Sequence, residues 1–133
     1  MSELAGLPAA EVRVGIDIVD IVRFRETIER RPGIVERIFT ETERKRCDAA
    51  ADPAVRYAAR FAVKEATRKA LGRSLDWRAC ETRNDADGAP SLALPEGTIT
   101  GDGLRIAGAS VSISHDGPVA TAIVMITTEA SER

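Results

Sequence analysis

The alternation of apolar and polar residues near the N-terminus predicts a strand that leads into a helix. Residues 12–19 (VRVGIDIV) alternate an apolar series with a more polar one, a period of two that is typical of a β-strand. Asp17 belongs to the less apolar series, close to the carboxyl end of this strand. From Asp20 onward the apolar residues recur at the spacing of an amphipathic helix, which we expect to end at Arg30 or Arg31.

Capping signals predict two more helices, and the second is the longest in the chain. Residues 40–43 (TETE) fit a capping box that opens a polar helix. Asp52-Pro53 places an N-cap residue before a proline at the first helical position. Strong helix formers follow as far as Leu71, where Gly72 is suited to cap the C-terminus. Alanines recur every fourth residue and leave a smooth stripe for close packing, at Ala58, Ala62, Ala66 and Ala70.

Beyond Gly72 the sequence predicts β-structure. Strands are expected at residues 79–83, 91–94, 110–115 and 119–127. The first two flank a hairpin connection of Asn, Asp and Gly residues at 84–88. The glycine-rich segment 95–108 is expected to be a loop with a short strand at 104–106. This order of elements predicts a single α+β domain over residues 1–133, with 1–10 and 128–133 flexible.

Composition removes several classes of protein. A chain of 133 residues suits one domain, and no apolar run approaches the roughly 20 residues that span a bilayer. The N-terminus lacks the basic leader of a secretory signal, so we expect a cytoplasmic protein with no membrane partner. Cys47 and Cys80 stand singly in a chain with one His, which favours reduced thiols and leaves no convincing zinc site.

Charge is divided unevenly along the chain. The formal total of −2 argues against a protein that coats nucleic acid by bulk electrostatics. Residues 11–73 nevertheless carry a net charge of +4, and residues 74–133 carry −5. The first half is therefore the one suited to meet anionic partners.

Two carboxylates and several cations could carry chemistry. Asp17 interrupts an apolar strand, and a buried acid is costly unless it pairs or binds a cation; it could equally be exposed or cap the next helix. In the long helix, Glu65 and Lys69 lie beside a cationic ridge, a set that suits a metal-bridged phosphate or a solvated face of i,i+4 pairs. The ridge consists of Arg56, Arg60, Lys64 and Arg68. His115 is the only histidine, and at a strand end it could be catalytic or a surface residue.

Three segments together resemble the 4′-phosphopantetheinyl transferases of the small holo-acyl-carrier-protein synthase type. They are VGIDIVDIVRF, RFAVKEATRKALG and VSISHD, in the family's order and approximate spacing. The resemblance implies an antiparallel sheet packed on the long helix. It also implies an enzyme that moves 4′-phosphopantetheine from coenzyme A to a serine of an acyl carrier protein, releasing adenosine 3′,5′-bisphosphate. Magnesium and a homotrimer with a site at each subunit junction are expected with it.

The resemblance also assigns roles to individual residues. Asp17 and Glu65 match the metal ligands. Other matched positions contact the pyrophosphate (Lys64, Lys69), the nucleotide phosphates (Arg60, His115), the adenosine (Gly88, Pro90) and an acidic carrier protein (Arg23, Arg37). With Lys69 stabilising charge, the carrier serine's proton goes to a metal-bound water or to Glu65 through a water; His115 is the rival base.

The segment 95–108 departs from the family's pattern, since many relatives carry a helix there. We therefore expect the adenosine-side wall and part of the subunit contact to differ from those of such relatives. A non-catalytic module that binds coenzyme A or a carrier protein is the alternative function, and a magnesium-dependent phosphotransferase or pyrophosphate hydrolase is a third. Whether the carrier serves fatty acid, polyketide or peptide synthesis is left open by the sequence.

Overall fold

A computed structural model of the chain describes residues 10–130, and its elements follow the periodicities of the sequence. The strands are β1 (Val12–Asp20), β2 (Glu81–Asn84), β3 (Pro90–Ala93), β4 (Ile106–Asp116) and β5 (Val119–Thr128). The helices are α1 (Ile21–Arg30), α2 (Ile34–Ile38), α3 (Glu41–Asp48) and α4 (Pro53–Leu71), and a 3-10 turn at Trp77–Ala79 precedes β2. None of the helices within residues 10–130 is long and apolar enough to cross a membrane.

The sheet is antiparallel and packs on α4. β5 lies between β1 and β4, and β2 pairs with β3 in a separate hairpin. The register places Asp17 of β1 and Ile113 of β4 on either side of Ala122. The predicted α+β fold, with an antiparallel sheet against the long helix, is therefore confirmed.

β1 crosses α4 at a point where only a glycine fits. A Cβ atom on Gly15 would lie 1.9 Å from the carbonyl oxygen of Ala66 and 2.8 Å from the backbone nitrogen of Ala70. The predicted alanine stripe lies along this contact and is buried. Because Asp17 follows Gly15 by two residues on the same face of β1, the close crossing also fixes Asp17 beside α4.

The more apolar face of β1 is the one that α4 does not cover. Its four aliphatic side chains are 52 to 66 % exposed, and two neighbours on β5 are each 43 % exposed. They are Val12, Val14, Ile16 and Ile18, with Ile123 and Met125. The face that packs closely on α4 needs small residues such as Gly15, so the bulkier aliphatic side chains lie on the opposite, exposed face of the sheet.

Aromatic side chains form one continuous row through the core. Phe24 packs on Phe61 with ring centroids 5.1 Å apart, and Phe61 packs on Trp77 at 5.3 Å. In the other direction Phe24 meets Phe39, which meets Tyr57. These five are all the Phe, Tyr and Trp residues of the protein, and the row joins α1, the residue that follows α2, and α4 to the turn before β2.

The two predicted helix starts are the N-termini of α3 and α4, although Asp52 does not cap α4 with its side chain. Thr40 and Glu43 form the predicted capping box at α3. Asp52 stands at the N-cap position of α4, but its carboxylate pairs with both terminal nitrogens of Arg25 at 2.9 Å. The pair ties the start of α4 to α1. Cys47 and Cys80 are buried and free, as predicted.

The described residues 95–105 contain turns and no helix, and they are held by polar contacts; residues 106–108 already belong to β4. Of the expected short strand at 104–106, Ile106 is the first residue of β4, whereas Arg105 forms only an isolated bridge with Ile99. Asp102 accepts hydrogen bonds from the guanidinium of Arg13 at 2.7 and 2.8 Å. The backbone N–H of Gly101 donates to the carbonyl of Leu71 at 2.8 Å. The loop is thereby fastened to the start of β1 and the end of α4.

The structure describes only part of the two ends that were predicted to be flexible. Residues 1–9 and 131–133 lie outside the described residues. Thr128, the first residue of the predicted C-terminal tail, is buried at the end of β5, and its hydroxyl accepts from the N–H of Glu11 at 2.8 Å. The N–H of Glu129 donates to the carbonyl of Arg105, so pairing continues past the strand.

Candidate active site

The two predicted metal-binding carboxylates, Asp17 and Glu65, line one cleft. The cleft encloses about 330 Å³ between β1, α1 and α4, and Asp17 and Glu65 line it together. Arg23 of α1 and the rings of Phe24 and Phe61 complete its walls. Since residues 17 and 65 lie on different elements, the crossing of β1 over α4 is what brings them together.

Asp17 has a counter-charge on α4. The Nζ atom of Lys69 lies 3.2 Å from Oδ1 of Asp17 and donates to the carbonyl of Ile16 at 3.0 Å. The Asp17 side chain is 17 % exposed and that of Lys69 is 56 % exposed. The mostly buried acid is therefore paired, and the ammonium beside it remains exposed to solvent and to anionic ligands.

The donor set of the cleft fits magnesium. Among residues 10–130, no three His, Cys, Asp or Glu side chains converge as a ready metal site. Mg²⁺ is commonly held by one or two carboxylates, with waters and substrate phosphates in its other positions. Asp17 and Glu65 can supply that pair of carboxylates, whereas a tetrahedral zinc site would need ligands that the cleft lacks.

A second pocket gathers the residues that were expected to meet the nucleotide. It encloses about 230 Å³ between the start of α4, the β2–β3 hairpin and the end of β4. The predicted residues Arg60, Gly88, Pro90 and His115 line it together, and so does Asn84. Asn84 is absent from the predicted set, although its place at the head of the predicted hairpin turn could have drawn attention to it.

Arg60 lies in this pocket as a buried cation. It is 2 % exposed and donates from Nη2 to Oδ1 of Asn84 at 2.8 Å. Its Nε has no hydrogen-bond partner among the described residues. Burial lowers the pKa of this guanidinium, because the surrounding protein compensates its charge only in part. An anion bound here would supply both the missing acceptor and the missing charge.

The cleft and the pocket lie on opposite sides of α4 within one chain. Val19, Ala120 and His115 are level with one another across the sheet, which puts the strands of Asp17 and His115 two spacings apart. That separation is about 10 Å of sheet. The predicted residues therefore form two groups, with Asp17, Glu65 and Lys69 in one and Arg60, Gly88, Pro90 and His115 in the other.

Lys64 belongs to neither group, and this corrects the prediction that it contacts the pyrophosphate. Its side chain is 1 % exposed, and Nζ lies 2.8 Å from Oε1 of Glu43. The same nitrogen donates to the carbonyls of Trp77 and Cys80. All three ammonium protons are thus directed into the protein interior. The ridge of four cations predicted on α4 is covered at Arg60 and Lys64 by the hairpin and its connection.

The two predicted docking arginines border a continuous concave surface. Exposed Arg23 lines the cleft, and exposed Arg37 lines a neighbouring groove of about 700 Å³. The rings of Phe24 and Phe61 line both, and Trp77 lies at the far side of the groove. An acidic protein with an apolar contact residue would match this surface.

The comparisons with known proteins agree with this arrangement. A family model described as the 4′-phosphopantetheinyl transferase superfamily matches residues 13–123. The chain belongs to this superfamily. The transferase is 45 % identical over 123 residues to a holo-[acyl-carrier-protein] synthase of Frankia casuarinae, covering 90 % of this chain and 99 % of the relative. It is 42 % identical to a protein of the same name from Salinispora arenicola, covering 86 % of this chain and 96 % of that one.

A solved structure has the same fold as this transferase. The holo-(acyl-carrier-protein) synthase of Bacillus anthracis in complex with CoA (3′,5′-ADP) superimposes with a TM-score of 0.75 at 31 % identity. The match covers 91 % of this chain and 100 % of the other. The family and the enzyme class predicted from the three sequence segments, a 4′-phosphopantetheinyl transferase of the holo-acyl-carrier-protein synthase type, are confirmed.

Proposed function

We propose that this transferase moves 4′-phosphopantetheine from coenzyme A to a serine hydroxyl of an apo acyl carrier protein and releases adenosine 3′,5′-bisphosphate. The observation that carries the proposal is the cleft in which Asp17 and Glu65 meet beside Arg23. It places a carboxylate pair suited to a metal-bound diphosphate next to a cationic surface suited to an acidic protein. Relatives named for this reaction, and a similar structure named as a coenzyme A complex, support the same substrates.

The pocket around Arg60 is proposed to hold the nucleotide half of coenzyme A. Its buried guanidinium with an unused Nε suits a phosphate group, and His115 stands at the same rim. Gly88 has a φ of 86°, a conformation that glycine adopts without strain, and its carbonyl accepts from the Asn84 amide at 3.0 Å. The turn therefore has a fixed backbone against which the adenosine can lie, with Pro90 beside it.

We propose that the working enzyme is a homotrimer in which one protomer's cleft is completed by its neighbour's pocket. A single chain separates the two groups across α4, and coenzyme A must contact both. The uncovered apolar face of β1 and β5 supports this assembly, because aliphatic side chains more than 40 % exposed in a continuous patch mark an interaction surface. Burying that patch between protomers would join the half-sites.

In the proposed reaction the serine oxygen attacks the β-phosphorus of coenzyme A, the one that carries the pantetheine. The bond from that phosphorus to the oxygen bridging to the nucleotide breaks, and the nucleotide phosphate leaves. Magnesium held by Asp17 and Glu65 would neutralise charge on both phosphates. Lys69, exposed beside Asp17, would add positive charge that offsets the negative charge developing on the leaving oxygen.

The serine proton needs an acceptor within the cleft. Glu65 lines the cleft on the side of the carrier surface and can take the proton through one water. His115 is the rival base, and it lies in the nucleotide pocket rather than beside Glu65 of the same chain. It could serve the reaction only across the proposed subunit junction.

The deciding experiment is a mass measurement on an apo carrier protein. The protein is incubated with that carrier, coenzyme A and magnesium, and the carrier is weighed by mass spectrometry. A gain of one phosphopantetheine supports the transfer. Binding of coenzyme A with no gain would favour a non-catalytic binding module, and hydrolysis of coenzyme A without a carrier would favour a pyrophosphate hydrolase. Fatty acid, polyketide and peptide carriers, tested in parallel, would identify the preferred partner.

A further inference from the structure

Glu43 and Lys64 form an ion pair in the interior, outside both the cleft and the pocket. Their side chains are 0 % and 1 % exposed, and the nearest nitrogen and oxygen are 2.8 Å apart. Buried pairs are weak stabilisers, since apolar residues of similar volume often serve as well. What such a pair fixes well is geometry, because its hydrogen bonds are directional and cannot be exchanged for water.

Apart from the capping-box bond from the N–H of Thr40 to Oε1 of Glu43, the remaining bonds of the pair lead to the chain that enters β2. Lys64 donates to the carbonyl of Trp77 at 2.8 Å and to that of Cys80. Oε2 of Glu43 accepts from the backbone N–H of Thr82 at 3.0 Å. The buried Glu43–Lys64 pair therefore holds the backbone to α3 and α4 at three places, Trp77, Cys80 and Thr82.

This centre acts on the same strand that carries the nucleotide pocket. Asn84 follows Thr82 by two residues, so both side chains lie on the same face of β2. Arg60, one helical turn before Lys64 on α4, donates to that asparagine at 2.8 Å. Asn84 in turn pairs with Pro90 across the hairpin and binds the carbonyl of Gly88. The position of the whole hairpin over α4 is thus set at two neighbouring turns of the helix.

We propose that Glu43 and Lys64 are positioning residues for coenzyme A, holding the β2–β3 hairpin so that its turn faces Arg60 and His115. The inference rests on the proposed function, since it assigns the pair to the nucleotide half of that site. We expect carrier docking to change little: Lys64 also holds the backbone carbonyl of Trp77, but the ring that lines the docking groove packs on Phe61 and on the guanidinium of Arg68, 3.4 Å from its centroid.

The test replaces both members of the pair in one variant, Glu43→Gln with Lys64→Met. Removing both charges avoids leaving one of them buried alone, and the side chains keep their approximate volumes. We expect the dissociation constant for adenosine 3′,5′-bisphosphate, measured by calorimetry, to rise about tenfold or more, and KM for coenzyme A to rise with it. The value of kcat at saturating coenzyme A and KM for the carrier should stay within about twofold.

Tyr57→Phe is the matched control. It removes a hydrogen bond between Tyr57 of α4 and Asp48 of α3, 2.8 Å long, which does not lead to the hairpin. Nucleotide affinity should be unchanged in this variant. A lower kcat with unchanged KM in the double variant would overturn the positioning role. An equal rise in KM for coenzyme A and for the carrier would overturn it as well. So would wild-type nucleotide affinity in a folded double variant.

A second variant keeps the proposal testable if the double variant does not fold. Glu43→Asp retains the charge opposite Lys64 but shortens the reach to the N–H of Thr82 by one methylene. Its nucleotide affinity should fall about threefold, and an unchanged affinity would overturn the proposal. Failure of the wild-type protein to bind the nucleotide at all would count against the proposed function itself, which separates the two failures.

Discussion

Gly15 offers the sharpest test of how the fold positions the cleft. In Gly15→Ala the new Cβ would lie 1.9 Å from the Ala66 carbonyl oxygen, whereas real contacts of this kind are essentially never under 3.0 Å. Both partners are backbone, so β1 itself must move away from α4 by about 1 Å. Overpacking of this kind costs about 1–3 kcal/mol, and the rigid neighbours place this case at about 3 kcal/mol.

Two measurements follow from that displacement. A loss of about 3 kcal/mol lowers the melting temperature by roughly 10 °C for a domain of this size, and it lowers the urea midpoint correspondingly. The move also carries Asp17 away from Glu65, and a misplacement of about 1 Å can cost about 100-fold in rate. Melting should be followed by circular dichroism at one fixed protein concentration, because the proposed homotrimer would make the transition concentration-dependent.

Gly108→Ala is the matched control on the same sheet. A Cβ there would meet only the hydroxyl of Thr127, at 3.2 Å, and that side chain can rotate away. We expect its stability to change by no more than about 0.5 kcal/mol. Equal urea midpoints for the two alanine variants would refute the close-crossing argument, as would full activity in Gly15→Ala.

Three further predictions concern charge. Asp17→Asn and Glu65→Gln should each lower the transfer rate by more than about 100-fold while the melting temperature is kept; retained activity in either would remove the metal assignment. Arg23→Glu should raise KM for the carrier about tenfold with KM for coenzyme A unchanged, most visibly at low salt, and equal losses for both substrates would contradict the docking surface. The Arg13 guanidinium holds the pKa of Asp102 well below its ordinary 3.8. The resulting stabilisation is present above pH 3.8 and is lost as the pH falls below it. The difference in urea midpoint between wild type and Asp102→Asn should therefore shrink from pH 4 to pH 2. A difference that stays constant over this range would refute the pairing.

Local signals explain why the elements could be predicted. The two-residue period of β1, the capping box at Thr40 and the Gly72 terminus of α4 are each set by neighbours in sequence. The exposed face of β1 could not be assigned in the same way. The more apolar series faces outward because α4 needs the small Gly15 opposite its alanines, and that requirement depends on a crossing made far along the chain.

Lys64 shows where spacing fails as a guide to the site. Four cations four residues apart predict a solvated ridge or an anion-binding face. The structure turns Lys64 inward because its partner, Glu43, lies on α3, and the capping-box pattern suggested only a local role for that acid. The meeting of Asp17 with Glu65 was likewise expected from the family resemblance rather than from spacing, since 48 positions separate them.

The aromatic row gives the protein an optical reporter at a useful place. Trp77 is the only tryptophan, and its indole borders the groove between Arg37 and Phe61. Tryptophan emission from the native chain therefore arises from one site, next to the surface where a carrier is proposed to dock. Docking can therefore be titrated by tryptophan fluorescence without any label. In a variant that binds coenzyme A but not the carrier, the emission should stay that of the empty groove when carrier is added.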